Sequence, residues 1–216
     1  KSLSIRWALL SSQSLKKSRS SNLLLSEDVM STLNCLKKLG VKVKISKNFC
    51  EIIGLGLNGF KYKKNLTLNA GNSGTFGRLI LGLLVHSKKE IRIKGDKSLS
   101  KRDFLRVIKP LEKFGAKFNS NYGKLPIRIQ GTNNSKPIKY YENKGSAQCK
   151  SAVMFAALNT QGETIIKAKK SRDHSELLFK NLKLPIKVIK RKKHDIIKIK
   201  GKKKIHALNY KIPSDI

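Results

Sequence analysis

Acidic residues are scarce in this 216-residue chain: 13 Asp and Glu stand against 48 Lys and Arg, a formal net charge of +35. Aromatic residues are also few, at 6% with a single Trp. Little aromatic interleaves the basic residues, which speaks against a stacking platform for single-stranded nucleic acid. Cysteine is limited to Cys35, Cys50 and Cys149. An odd, widely spaced set with no CxxC pair and no metal-ligand pattern with the four histidines reads as buried or free reduced thiols. No apolar run approaches the roughly 18 residues of a membrane-crossing helix. The opening "KSLSIRWALL" has no signal-peptide pattern, so a cytoplasmic location is expected.

The content of the chain points to a folded body. Hydrophobic residues make up 39%, enough for a core, and the length suits one large domain or two small ones. The basic residues occur in nearly every segment and are mostly Lys, with Asn and Ile also frequent. That usage matches an A/T-rich coding bias. It leaves both a polyanion partner and a small anionic ligand open.

Three series of segments recur. "KSLSIRWALL", "GNSGTFGRLILGLL" and "GSAQCKSAVMFAAL" each put a Ser in a polar turn before an apolar helix, with Ser2, Ser73 and Ser146 spaced 71 and 73 residues apart. "SEDVMSTLNCLKKLGVKV", "SKRDFLRVIKPLEKFGAKF" and "RDHSELLFKNLKLPIKV" follow, with Ser26, Ser100 and Asp173 spaced 74 and 73 apart. "EIIGLG", "LPIRIQG" and "DIIKIKG" close the units at Gly56, Gly131 and Gly201. Each unit reads as helix, strand, amphipathic helix and two strands. Ser26 to Gly40 and Ser100 to Gly115 are capped at both ends, and Val29, Leu33, Leu36 and Leu39 keep helical spacing. The first helices of the later two units are apolar nearly all round, whereas the strands alternate. Buried helices with half-exposed strands imply helices inside and sheets outside, about a pseudo-threefold axis.

Such an arrangement gathers three helix N-termini at one end. Their unpaired N–H groups and partial positive charge favour an anion, and glycine lets it approach the backbone. Lys1, Arg6, Arg78 and Lys150 lie near these starts; Lys101, Arg102 and Arg172 lie at the second helices. The set reads as a pocket for phosphate and carboxylate groups.

At these residues the chain resembles the 3-phosphoshikimate 1-carboxyvinyltransferase, or EPSP synthase, family. "KSLSIR", "SNLLLSEDVMSTLNCLKKLG", "GNSGTFGR", "GDKSLSKRDFLRVIKPLEKFGA", "GSAQCKSAVMFAALNTQGET" and "SRDHSE" are similar to six of its motifs, in order. The resemblance implies an inside-out α/β barrel of the enolpyruvyl transferase type, built from three βαβαββ units. It implies enolpyruvyl transfer from phosphoenolpyruvate to shikimate 3-phosphate in aromatic amino acid biosynthesis, with no cofactor or metal and a monomeric enzyme. Shikimate 3-phosphate would meet Lys1, Ser2, Arg6, Ser146, Ala147, Gln148 and Arg172. Phosphoenolpyruvate would meet Lys1, Gly74, Arg102 and Gln148, and Gly74 would leave room for glyphosate. Lys1 is the one candidate in this segment for a direct part in the chemistry. Arg78 is read only as a charge near the interdomain cleft.

The chain departs from the family pattern at Asp103, where proline is usual, and at Ser73 and Trp7, where alanine is usual. Residues 1–209 read as one domain, with units 1–61, 62–135 and 136–209, and 210–216 resemble the crossing into a second domain. The acid/base carboxylates of the family would lie in that second half. The sister transferase acting on UDP-N-acetylglucosamine shares the fold, but none of the three cysteines sits in the loop its signature requires. An RNA-binding or RNA 3′-phosphate-processing module with related repeats stays open on charge. Residues 1–216 alone are expected to give no turnover. Enolpyruvyl transfer by that purified segment would contradict this, and RNA binding with a steep salt dependence would favour the alternative.

Overall fold

The computed structural model describes residues 1–47 and 49–213. In chain order the elements are α1 (Ser2–Ser11), β1 (Lys17–Ser21), α2 (Glu27–Lys38), β2 (Lys42–Ser46), β3 (Phe49–Ile53), β4 (Leu66–Asn69), α3 (Gly74–Leu84), β5 (Ile91–Lys94), α4 (Lys97–Ser100), α5 (Leu105–Glu112), β6 (Lys117–Asn121), β7 (Lys124–Gln130), β8 (Lys139–Glu142), α6 (Ala147–Leu158), β9 (Glu163–Lys169), α7 (His174–Asn181), β10 (Ile186–Lys190), β11 (His194–Lys200) and β12 (Tyr210–Lys211). None of these helices is long and apolar enough to cross a membrane.

The strands form three four-stranded sheets, ordered β12-β1-β3-β2, β4-β5-β7-β6 and β8-β9-β11-β10. Each sheet has the same plan: one parallel pair, then two antiparallel neighbours. The first sheet closes its plan with β12, which pairs Ser20 with Tyr210 and Ser21 with Lys211. The ordered sheet therefore runs past the boundary expected after residue 209. Residues 214–216 of the expected 210–216 crossing lie outside the described residues.

The sheets turn one face inward. Along β7, Leu125, Ile127 and Ile129 are buried while the residues between them are exposed. Inside run α1, α3 and α6, buried almost throughout: Ser4–Ser11, Phe76–Leu84 and Cys149–Leu158. Side-chain bonds show that the three are parallel. At the N-terminal end Arg6 Nη2 reaches Ser151 Oγ at 3.5 Å, and Gln148 Nε2 donates to Thr75 Oγ1 at 3.2 Å. At the far end Asn159 Nδ2 donates to Gln13 Oε1, and Thr160 Oγ1 lies 3.4 Å from His86 Nε2. Gly82 makes the α3–α6 contact close: a Cβ there would stand 2.2 Å from the Ala152 carbonyl oxygen. Trp7 is fully buried and donates its indole N–H to the Leu208 carbonyl at 2.7 Å, tying α1 to the last segment.

Two expected markers shift. The helix read from Ser100 breaks in two. Asp96 caps α4 by accepting the Leu99 N–H at 2.7 Å, and Asp103 accepts the Leu105 N–H at 2.7 Å to start α5. In the closing series, Gly54 rather than Gly56 matches Gly131 and Gly201. These three press the strand ends onto the C-terminal turns of the central helices, leaving no space for a side chain. Ser26 is the N-cap of α2, without a side-chain capping bond. All three cysteines are buried and free, and burial pushes their thiols up, Cys35 and Cys50 to about 11.

His86, 7% exposed, lies 2.6 Å from Ser135 Oγ, and burial, helped by Lys202, pulls its pKa down to about 4. The folded protein thus holds this imidazole neutral while the unfolded chain protonates it near 6.5. Its contribution is fully present above about pH 6.5 and is lost as pH falls toward 4, by about 3 kcal/mol in all. Chemical denaturation of the wild type and His86→Gln across pH 7 to 4 should show a flatter profile for the variant. Parallel profiles would remove His86 as the sensor.

Candidate anion-binding site

The site is built on the first turns of the three central helices. Ser73 and Ser146 are N-caps, accepting the N–H groups of Phe76 at 3.2 Å and Cys149 at 3.3 Å. This gives Ser73 a use that alanine cannot supply. By helix geometry, the N–H groups of Gly74 and Thr75 have no carbonyl behind them. In α1 the cap is Lys1, with no side-chain capping bond, and Ser2 is already helical. The expected equivalence of Ser2 with Ser73 and Ser146 as caps is therefore corrected. The Ser2 hydroxyl instead accepts from Arg6.

A strict repeat appears one turn further in. Arg6, Arg78 and Lys150 stand 72 residues apart, and their exposures are only 3%, 3% and 1%. Each meets its burial differently. Lys150 Nζ pairs with Glu176 of α7 at 2.5 Å, both side chains buried. The expectation that Lys150 faces a ligand is corrected: its charge is neutralised inside the protein.

Among the described residues, Arg6 bonds only to neutral oxygens. Its Nε donates to Ser175 Oγ at 2.7 Å, and its other nitrogens reach Ser2 and Ser151. Burial pulls this guanidinium down to about 10, and the nearby Glu176 opposes the shift. It stays charged at neutral pH. Glu176 is already engaged by Lys150, so the Arg6–Lys150–Glu176 group carries one surplus positive charge.

Arg78 is also without a carboxylate partner among the described residues. Its Nη1 donates to Gln148 Oε1 at 2.7 Å, its Nη2 to the Asp103 carbonyl at 3.2 Å, and its guanidinium lies over the Phe104 ring at 4.8 Å. Burial lowers its pKa, and the positive charges of Arg106 and Arg102 add to the effect. Exposed Arg102 completes the group at Gly74. A Cβ on Gly74 would lie 3.0 Å from Arg78 Nη1 and 3.3 Å from Arg102 Nη1. Two guanidinium groups thus converge on one glycine at a helix N-terminus, the local chemistry of a phosphate or carboxylate site.

The structure brings Gly74, Arg102 and Gln148 together and adds Thr75, to which sequence reasoning gave no role; Arg78, read from the helix starts as part of an anion pocket and afterwards only as a charge near the cleft, lies among them. Ser2 and Arg6 adjoin, with Ser151 and Ser175 as unforeseen partners; Ser146 and Ala147 are half-buried at the start of α6. Exposed Arg172 precedes α7. Burial, and after it the charges of Arg6 and Arg172, hold the His174 pKa down. Lys1, at the helix start, pairs with Asp28 at 2.8 Å. Among the described residues no cluster of His, Cys, Asp or Glu has metal-binding geometry. The 72-residue recurrence of Arg6, Arg78 and Lys150 was the available signal for the buried cations.

Comparison with known proteins follows this geometry. The family model described as EPSP synthase (3-phosphoshikimate 1-carboxyvinyltransferase) matches residues 1–216. A 3-phosphoshikimate 1-carboxyvinyltransferase of Vesicomyosocius okutanii is 42% identical over 217 residues, covering 100% of this chain and 49% of that protein. One of Caldicellulosiruptor saccharolyticus is 38% identical, covering 100% of this chain and 50% of that protein. The solved EPSP synthase of Acinetobacter baumannii superposes with a TM-score of 0.90 at 32% identity, over 100% of this chain and 48% of that one. The chain spans about half the length of the curated relatives it matches. A match over all 216 residues, on a three-sheet fold with helices inside, shows that the chain belongs to the EPSP synthase family.

Proposed function

We propose that this chain supplies part of the anion-holding site of an enzyme that transfers the enolpyruvyl group of phosphoenolpyruvate to shikimate 3-phosphate and releases phosphate. The observation that carries the reading is the pair of buried arginines, Arg6 and Arg78, neither bonded to a carboxylate among the described residues. Burying unpaired cations is costly, and anionic ligands offset the cost when bound. Both substrates are multiply anionic, and the family supplies the reaction.

In this reading Arg6, Arg172, Ser2, Ser146, Ala147 and Gln148 hold shikimate 3-phosphate. Gly74, Arg102 and Gln148 hold phosphoenolpyruvate, and Lys1 contacts both. Arg78 fixes the Gln148 amide through its Nη1 bond. Asp103, in the place of the usual proline, keeps Arg78 in position through its carbonyl and starts α5 with its carboxylate. The chemistry belongs to the whole protein, read as monomeric and cytoplasmic. Free buried thiols agree with a reducing compartment.

In the full-length product of the gene, Arg6→Ala and Arg172→Ala should each raise KM for shikimate 3-phosphate about 10- to 100-fold, the worth of a charge-assisted bond. KM for phosphoenolpyruvate should change less. Steady-state kinetics with each substrate varied checks this, and unchanged constants would remove the assignment. Gly74→Ala puts a methyl group against Arg78 and Arg102 and should reduce inhibition by glyphosate. Equal inhibition of both forms would refute the placement of Gly74.

A further inference from the structure

Arg6, Ser175 and Ser151 belong to three different helices, α1, α7 and α6, yet their side chains meet in one buried cluster. Both serines are only 1% exposed. Groups so deeply buried find their hydrogen-bond partners within the protein.

The direction of each bond follows from the protons available. A hydroxyl has one proton to donate and two lone pairs to accept with. Arg6 Nε can only donate, so Ser175 Oγ, 2.7 Å away, accepts from it. The Ala147 carbonyl can only accept, so Ser151 Oγ, at 2.6 Å, donates its one proton there. The two hydroxyl oxygens lie 2.6 Å apart, and the proton between them therefore comes from Ser175. The result is a one-way chain from Arg6 through Ser175 and Ser151 to the carbonyl of Ala147. Each bond in such a chain polarises the next. Reversing the middle bond would leave the Ser175 proton without an acceptor among the described residues. It would also set two acceptors, Ser151 Oγ and the Ala147 oxygen, against each other.

The chain joins residues that matter. In the reading above, both of its ends, Arg6 and Ala147, hold shikimate 3-phosphate, and Arg172 stands three residues before Ser175. The neighbours of the two serines, Lys150 and Glu176, form the buried ion pair that fastens α6 to α7. We propose that Ser175 and Ser151 are positioning residues for shikimate 3-phosphate, fixing the Arg6 guanidinium relative to the first turn of α6 so that both meet the same substrate. This rests on the assignment of Arg6 and Ala147 to that substrate. Without the Ser175 hydroxyl, Arg6 Nε is buried with no acceptor, and the guanidinium turns toward another one and away from its ligand.

Steady-state kinetics of the full-length gene product test this, with each substrate varied in turn, for the wild type, Arg6→Ala, Ser175→Ala, Ser175→Thr and Ser151→Ala. Ser175→Ala should raise KM for shikimate 3-phosphate about fivefold or more, and KM for phosphoenolpyruvate less than about twofold. Ser151→Ala removes only the tail of the chain and should raise the same constant by a smaller factor. Ser175→Thr keeps the hydroxyl and should bring KM back to within about threefold of the wild type. If Arg6→Ala raises KM for shikimate 3-phosphate and Ser175→Ala leaves it unchanged, the positioning role is overturned while the assignment of Arg6 stands. If Arg6→Ala itself changes nothing, that assignment fails and takes the positioning role with it. Equal losses for both substrates in Ser175→Ala would make the serine a general support of the fold and also overturn the proposal. Should Ser175→Thr not fold for want of room, the selectivity of Ser175→Ala and Ser151→Ala for one KM decides the matter.

Discussion

The close approach of α3 and α6 at Gly82 is the contact on which the site depends. A Cβ on Gly82 would collide with the Ala152 carbonyl, so only glycine allows this helix separation. Toward the N-termini, the same closeness lets Arg78 of α3 reach Gln148 of α6, and Gln148 reach Thr75. A wider spacing would leave both side chains dangling and Arg78 without its strongest acceptor. The packing of an apolar interior and the placement of a charged group are here one arrangement. The helix must be apolar to be buried, and it must be buried to hold Arg78 rigidly.

Three cations near the starts of the central helices show how one fold meets one problem in different ways. Arg6, Arg78 and Lys150 all carry a cation into the interior. Lys150 is given a carboxylate, and its group closes on itself. Arg6 and Arg78 are given hydroxyls, an amide and a carbonyl, which accept hydrogen bonds without removing the charge. Neutral acceptors orient a guanidinium while leaving its field intact. A local carboxylate would compete with any incoming phosphate. The difference separates a structural cation from two that are poised for anions, and residue type alone does not reveal it.

Much of this was legible in the sequence. The three-fold repeat followed from markers near one period, and inside-out packing followed from apolar helices beside alternating strands. What stayed hidden depended on contacts between units. Ser2 occupies the place of a cap in a repeat-based reading, yet its hydroxyl goes to Arg6, because α1 starts one residue earlier relative to its serine than α3 and α6 do. Ser100 has the residue type of a helix start, but Asp96 caps first and Phe104 inserts into the core before the helix resumes. Ser151 and Ser175 lie in recognisable motifs, and only the folded ring sets their hydroxyls 2.6 Å apart, side by side against Arg6. Strand β12 was hidden most fully, since its partner β1 lies some 190 residues away in sequence.

The large positive charge and the anion site are separate matters. Most of the 48 Lys and Arg lie on the solvent-facing surface of strands, helices and loops, where water and salt screen them and each adds little to any one ligand. The selective charges are the few that have lost their water. Arg78 is 97% removed from solvent by its 3% exposure, and its bonds hold it in one orientation. Its field at Gly74 is therefore strong and fixed. Exchanging surface lysines for neutral residues would lower the net charge greatly and leave that field nearly unchanged. Adding one carboxylate within reach of Arg78 would hardly alter the net charge and would cancel it. Composition drew attention to nucleic acid; burial and the lack of a carboxylate direct it to a small, multiply anionic molecule.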